Sequence, residues 1–211
     1  MPKSEQDFLF TDGKTKLTYM NHVYWILMAV VFALSSCNES KRGNDSNLNE
    51  DRNEAADESN TDKFAGKKQR DADFVYEVVG ANYGEIKLAE LANQKSRNRE
   101  VKRIAETLLT DHSASLNELK TLAQAKAISV PVEEPDASKR TLENMAEEGD
   151  DDFDHSWCTE MAEQHEKNID KFERRLGDTE DPELKAFINK TLPVLKKHHE
   201  QLKACDAKLK K

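Results

Sequence analysis

A chain of 211 residues with 36% apolar and 35% charged side chains has room for one domain, but too little apolar surface to pack along its whole length. Its net charge of −9 argues against a general nucleic-acid binder, whose affinity rests on neutralising phosphates. Seven Gly and five Pro are too few for an all-β domain, which needs frequent turns.

The first element in chain order is apolar. Residues 23–34 read VYWILMAVVFAL. A membrane-spanning helix needs about 20 such residues, so this shorter run reads as a signal peptide. It ends in Leu34-Ser35-Ser36-Cys37, which resembles the lipobox of bacterial lipoproteins. That resemblance implies removal of residues 1–36 and a lipid on Cys37, anchoring the mature chain to a membrane. Met20 gives a shorter leader than Met1 and is read as the natural start. Asn38 is not an obvious inner-membrane retention residue, so the expected place is the outer membrane, facing the periplasm or the surface. Beyond Cys37 the chain keeps Cys158 and Cys205, an even count that suits an oxidising compartment.

Residues 38–62, NESKRGNDSNLNEDRNEAADESNTD, hold only Leu48, Ala55 and Ala56 as apolar positions. Such a segment buries too little to offset its ordering entropy. Residues 37–70 are therefore expected to be a disordered polar tether, and residues 71–211 the folded domain.

Four helices follow, by the spacing of apolar residues. The first covers 73–94, with Phe74, Val78, Ala81, Leu88 and Ala92 on one face. The second covers 98–127, with Val101, Ala105, Leu108, Leu119 and Leu122. The third covers 152–176, with Trp157, Met161, Ile169, Phe172 and Leu176, and Gly177 as its stop. The fourth covers 181–210, with Leu184, Ile188, Leu195, Leu202 and Leu209. Asp181-Pro182-Glu183 supplies its cap, its first-turn proline and an acid, and Pro193 should kink it. Between the second and third helices, Pro131 and Pro135 break the chain and Asp136 caps a short helix over 137–148. Two short links and one long one predict an all-α four-helix bundle with one long connection, the way ferritin-like folds are built.

Several stretches carry a family resemblance: residues 74–89 (FVYEVVGANYGEIKLA), Leu109-Thr110-Asp111-His112, Phe153-Asp154, Met161-Ala162-Glu163-Gln164-His165, and Leu192-Pro193-Val194-Leu195-Lys196-Lys197-His198. Together they resemble the bacterial family named domain of unknown function 4142, over about residues 71–208. The resemblance implies an exported envelope protein of the ferritin-like superfamily, and supplies no activity.

Each apolar face is interrupted once near its middle, by Glu85, His112, His165 and His198. Antiparallel helices meet at their middles, so these four side chains are expected in one layer. No Glu-x-x-His occurs in the chain, since Leu109, Ala162 and Leu195 stand three residues before the histidines. The di-iron chemistry of ferritin-like bundles, which uses that motif twice, is therefore not expected. One Glu and three His could hold a single transition-metal ion, Zn, Fe, Cu or Ni. They could equally satisfy one another in a metal-free hydrogen-bonded layer, and His199 in place of His198 is the alternative register. Asp111 and Glu166, one residue from the layer, are read as solvated or at most outer partners, and Asp152 and His155 as surface residues.

Cys158 lies seven residues before His165, and Cys205 seven after His198, toward one end of an antiparallel pair. That placement allows a disulfide, with two buried thiols as the alternative. Two functional readings remain. One is a lipid-anchored envelope protein with a non-catalytic binding or scaffold role, toward a protein or small ligand the sequence does not name. The other is a metal-binding or metal-dependent redox protein using the Glu/His layer. No catalytic residue is assigned, because no nucleophile or phosphate-loop pattern is present.

Overall fold

Helices account for nearly all of the computed structural model, which describes residues 45–210. In chain order they are α1 (Asp45–Lys63), α2 (Gly66–Lys95), α3 (Arg99–Ala125), α4 (Asp136–Glu147), α5 (Asp150–Asp178) and α6 (Pro182–Leu209). The expected signal peptide, the expected start at Met20 and the expected lipidation of Cys37 all fall outside the described residues. Among the described residues, no helix is long and apolar enough to cross a membrane.

Helices α2, α3, α5 and α6 form the bundle, and ion pairs at their ends fix its directions. Arg97 and Asp150 bring the end of α2 to the start of α5, at 3.1 Å, while Lys67 and Glu180 join the opposite ends at 2.5 Å. Lys208 reaches Glu100 at 2.6 Å, and Lys126 reaches Asp181 at 2.5 Å, so α3 and α6 are also antiparallel. The order is thus up, down, down, up. The segment between α3 and α5 must run the whole length of the bundle, and α4 is part of that run.

The crossover lies against α2 at two glycines. A Cβ added at Gly80 would stand 3.1 Å from Pro135 Cγ, and one at Gly84 would stand 2.7 Å from the Ser138 side chain. Any larger residue at position 84 would push the start of α4 away.

The core is divided. One apolar cluster gathers Phe74, Val78, Leu119, Phe172, Leu184 and Ile188; the other gathers Leu88, Ile104, Leu108, Phe153, Trp157 and Leu202. Trp157 donates its indole N–H to Leu88 O at 2.9 Å, so its polar edge is satisfied inside the second cluster. On each of the four bundle helices a buried polar side chain falls between the two clusters: Asn82 and Glu85 on α2, His112 on α3, His165 on α5 and His198 on α6.

Four expectations are corrected. The tether is helical from Asp45 to Lys63 and is held by amides rather than by apolar burial. Asn60, fully buried, accepts from Ser129 N and donates to Ser129 O, both at 2.8 Å. Asn53 accepts from Val132 N at 2.8 Å, and its carbonyl accepts from Tyr76 OH at 3.0 Å. Second, the first bundle helix begins at Gly66, before the expected domain boundary at 71. Third, Gly177 lies inside α5, which ends one residue later, and the Thr179 N–H caps it by bonding Arg175 O at 2.9 Å. Fourth, the α4 N-cap is Pro135, with Asp136 the first helical residue. Asp181 caps α6 by accepting from Glu183 N and Leu184 N at 3.0 and 2.9 Å. α6 continues through Pro193.

Candidate metal centre

The structure places Glu85 of α2, His112 of α3, His165 of α5 and His198 of α6 in one layer between the two apolar clusters, all buried. The pairwise ring-centroid distances of the three imidazoles are 5.3, 5.5 and 5.5 Å. One ring nitrogen from each lies within 4.8 Å of the others. His198, not His199, faces inward.

What each ring presents is decided by its other nitrogen. His165 Nδ1 lies 2.8 Å from Met161 O, which can only accept, so Nδ1 carries the proton and Nε2 the lone pair. His112 Nδ1 faces Asn82 Oδ1 at 3.1 Å and Glu85 Oε2 at 3.0 Å. Asn82 is oriented by donating Nδ2 to Val78 O at 2.7 Å, so His112 Nδ1 also carries the proton. His198 Nε2 lies 2.9 Å from Asp111 Oδ2 and donates to it. Its Nδ1 therefore holds a lone pair, and that atom is buried with no hydrogen-bond partner. Three lone pairs result, on His112 Nε2, His165 Nε2 and His198 Nδ1. The first two face each other at 3.3 Å.

Burial keeps two of the rings, His112 and His165, neutral. It lowers His112 from 6.5 to about 3, with His198 adding to the effect and Asp111 opposing it. It lowers His165 to about 4, against the pull of Glu85. Burial also pushes the Glu85 carboxyl above the ordinary carboxylate range, with His165, His198 and a hydrogen bond from Asn168 working the other way.

Glu85 stands apart from the ligand set in which the sequence placed it. Its Oε2 lies on the Nδ1 side of His112, and its Oε1 accepts from Asn168 Nδ2 at 3.0 Å. It is an outer carboxylate that orients His112, and the cluster with metal-ligand spacing is the three histidines. Asn82, Asn168 and the link from Asp111 to His198 were not legible in the sequence. Asp111 does not share a helix face with His112, as expected, but it meets His198 across the α3–α6 interface. Asn82 precedes Glu85 by three residues, and that shared face was the one available signal. His155 is partly exposed, with Nε2 3.2 Å from Asp206 Oδ1. Cys158 and Cys205 pair as a disulfide across α5 and α6, Cα atoms 6.1 Å apart.

No curated protein matches the chain. Among solved structures, the fold is similar to "CopM in the Cu(I)-bound form", with a TM-score of 0.58 and 20% sequence identity, over 67% of this chain and 98% of that one. At that identity the likeness is one of fold. The sequence profile described as "Domain of unknown function (DUF4142)" matches residues 55–205, which covers α2, α3 and α5, most of α6 and every residue of the histidine layer, and the chain belongs to that family.

Proposed function

We propose that this protein binds one copper ion at the cell envelope through His112, His165 and His198, in a non-catalytic binding role. The observation that carries this reading is the set of three lone pairs with no proton to receive. A purely hydrogen-bonded layer would alternate donors with acceptors. Here two Nε2 lone pairs stand 3.3 Å apart and His198 Nδ1 is left without a partner. A cation among them resolves all three. Two nitrogens held about 2.0–2.1 Å from one tetrahedral ion are about 3.3 Å apart, the separation His112 and His165 already have.

Copper is favoured over the other candidate ions on two grounds. Neutral imidazoles suit it, and as Cu(II) it stands at the top of the divalent affinity order. A fold of this kind also occurs in the Cu(I)-bound CopM. The chain's own residues do the rest. Met161 O, Asn82, Glu85 and Asp111 fix which nitrogen of each ring is free, and apolar clusters pack on either side of the layer.

The envelope location rests on Leu34-Ser35-Ser36-Cys37 and belongs to the same proposal. A mature N-terminus at Cys37 by mass spectrometry supports it, and any other N-terminus sinks it. Untagged protein titrated with Cu(I) under a competing chelator should take up one equivalent. His165→Ala should abolish that uptake. A tighter fit for Zn than for Cu would replace copper by zinc in this reading. No uptake of either would leave the hydrogen-bonded scaffold.

A further inference from the structure

The histidine layer opens on one side. A cavity of about 20 Å³ adjoins it, lined by the buried Glu85, His112 and His198 and by Asp111, Ser115 and Val194, which are partly exposed. That is room for one water-sized molecule. His165 does not line it.

Among the described residues, the layer supplies three donors and no fourth. Both Glu85 oxygens are committed elsewhere, Oε2 to His112 Nδ1 and Oε1 to Asn168 Nδ2. Asp111 is engaged with the outer nitrogen of His198. Three protein ligands and a free adjoining space are the pattern of an open site rather than a closed structural one. We infer that copper held here keeps a fourth coordination position for a small neutral ligand of water size, on the cavity side bordered by Asp111 and Val194. The inference rests on the copper reading. Neutrality follows from the lining: the Asp111 carboxylate borders the cavity, so an anion entering it meets like charge in a poorly hydrated space.

Carbon monoxide is a suitable probe, because it is neutral, has about the right size and binds Cu(I) that has an open position. Cu(I)-loaded protein under carbon monoxide should show one C–O stretching band in the infrared that saturates with gas pressure and disappears on purging. Val194→Phe places a ring in the cavity. It should keep one copper per chain and weaken carbon monoxide binding at least tenfold. Thr191→Leu, a smaller change on the same lining, should weaken it several-fold and guards against misfolding of the larger variant. Copper uptake without a carbon monoxide band would overturn the open position and leave the copper reading intact. Binding unchanged in folded Val194→Phe and Thr191→Leu would overturn the assigned side. A chain that takes up no copper would overturn both readings.

Discussion

His112 is held neutral by burial and sits beside a carboxylate, and that pairing sets how the site responds to acid. Its ring is lowered from 6.5 to about 3, and that of His165 to about 4. Below pH 6.5 the unfolded chain takes up protons that these folded rings refuse. Their contribution to stability is therefore complete above 6.5 and is lost as pH falls toward 4 and 3. The slope is at most about 1.4 kcal/mol per pH unit for each ring. Glu85 acts in the opposite sense. Its folded value is raised, so its term is fully present below 4.5 and lost as pH rises through the folded value. Two rings outweigh one carboxyl, and metal-free protein should lose stability steadily from pH 7 to pH 5. Urea midpoints across that range check this, and a flat profile would show that the rings are solvated. At the same scale, Glu85→Gln keeps the shape of the layer but replaces the carboxylate behind His112 with a weaker acceptor. Copper affinity should fall about 10- to 100-fold, measurable by chelator competition, with one copper per chain still bound.

The bundle helices were legible because each buries a stripe at helical spacing, and the layer because one polar residue interrupts each stripe. The helix α1 was not. Its sequence lacks an apolar face, and composition measures only what apolar burial can contribute. Asn60 and Asn53 instead pair with backbone groups of the crossover, partners remote in sequence that no local pattern reveals. The same limit hid Asn168 and the role of Asp111, whose partners stand on other helices. Gly177 misled for a different reason: an exposed glycine costs a helix about 1 kcal/mol, which two neighbouring helices can outweigh. Asn60→Ala should release α1, since it removes both bonds to Ser129 and leaves that part-buried backbone pair unsatisfied. Limited proteolysis should then cut within 45–63 while sparing the bundle. The crossover offers a second test. Gly84→Ala should destabilise by about 1–2 kcal/mol, because the clash with Ser138 exceeds what alanine contributes to helix propensity. Ser138→Gly in the same chain should restore most of the loss. If Gly84→Ala alone is neutral or stabilising, α4 is not seated on α2 as described.

Across the whole molecule, the histidine layer and the disulfide are two ties between the same helices. Cys158–Cys205 joins α5 to α6 and closes a loop with a sequence separation of 47 residues. Chain entropy alone assigns such a bridge about 4 kcal/mol. The copper ion proposed on His112, His165 and His198 would join α3, α5 and α6 at mid-height, between the two apolar clusters. Metal binds the folded chain far better than the unfolded one, so loading should raise stability by mass action, about 2.7 kcal/mol at a free concentration one hundred times Kd. For a domain of this size that corresponds to roughly 5–11 °C in Tm. Removing His112 should separate the two ties. His112→Ala leaves Asn82 and Glu85 without their partner and should lower the Tm of metal-free protein. It should also abolish the copper-dependent rise, while non-reducing mass analysis still finds the disulfide. Cys158→Ala with Cys205→Ala should do the converse, lowering Tm with the copper-dependent rise retained. A copper response that survives in His112→Ala would place the ion elsewhere in the chain, and the lone pairs of the buried layer would then need another cation to account for them.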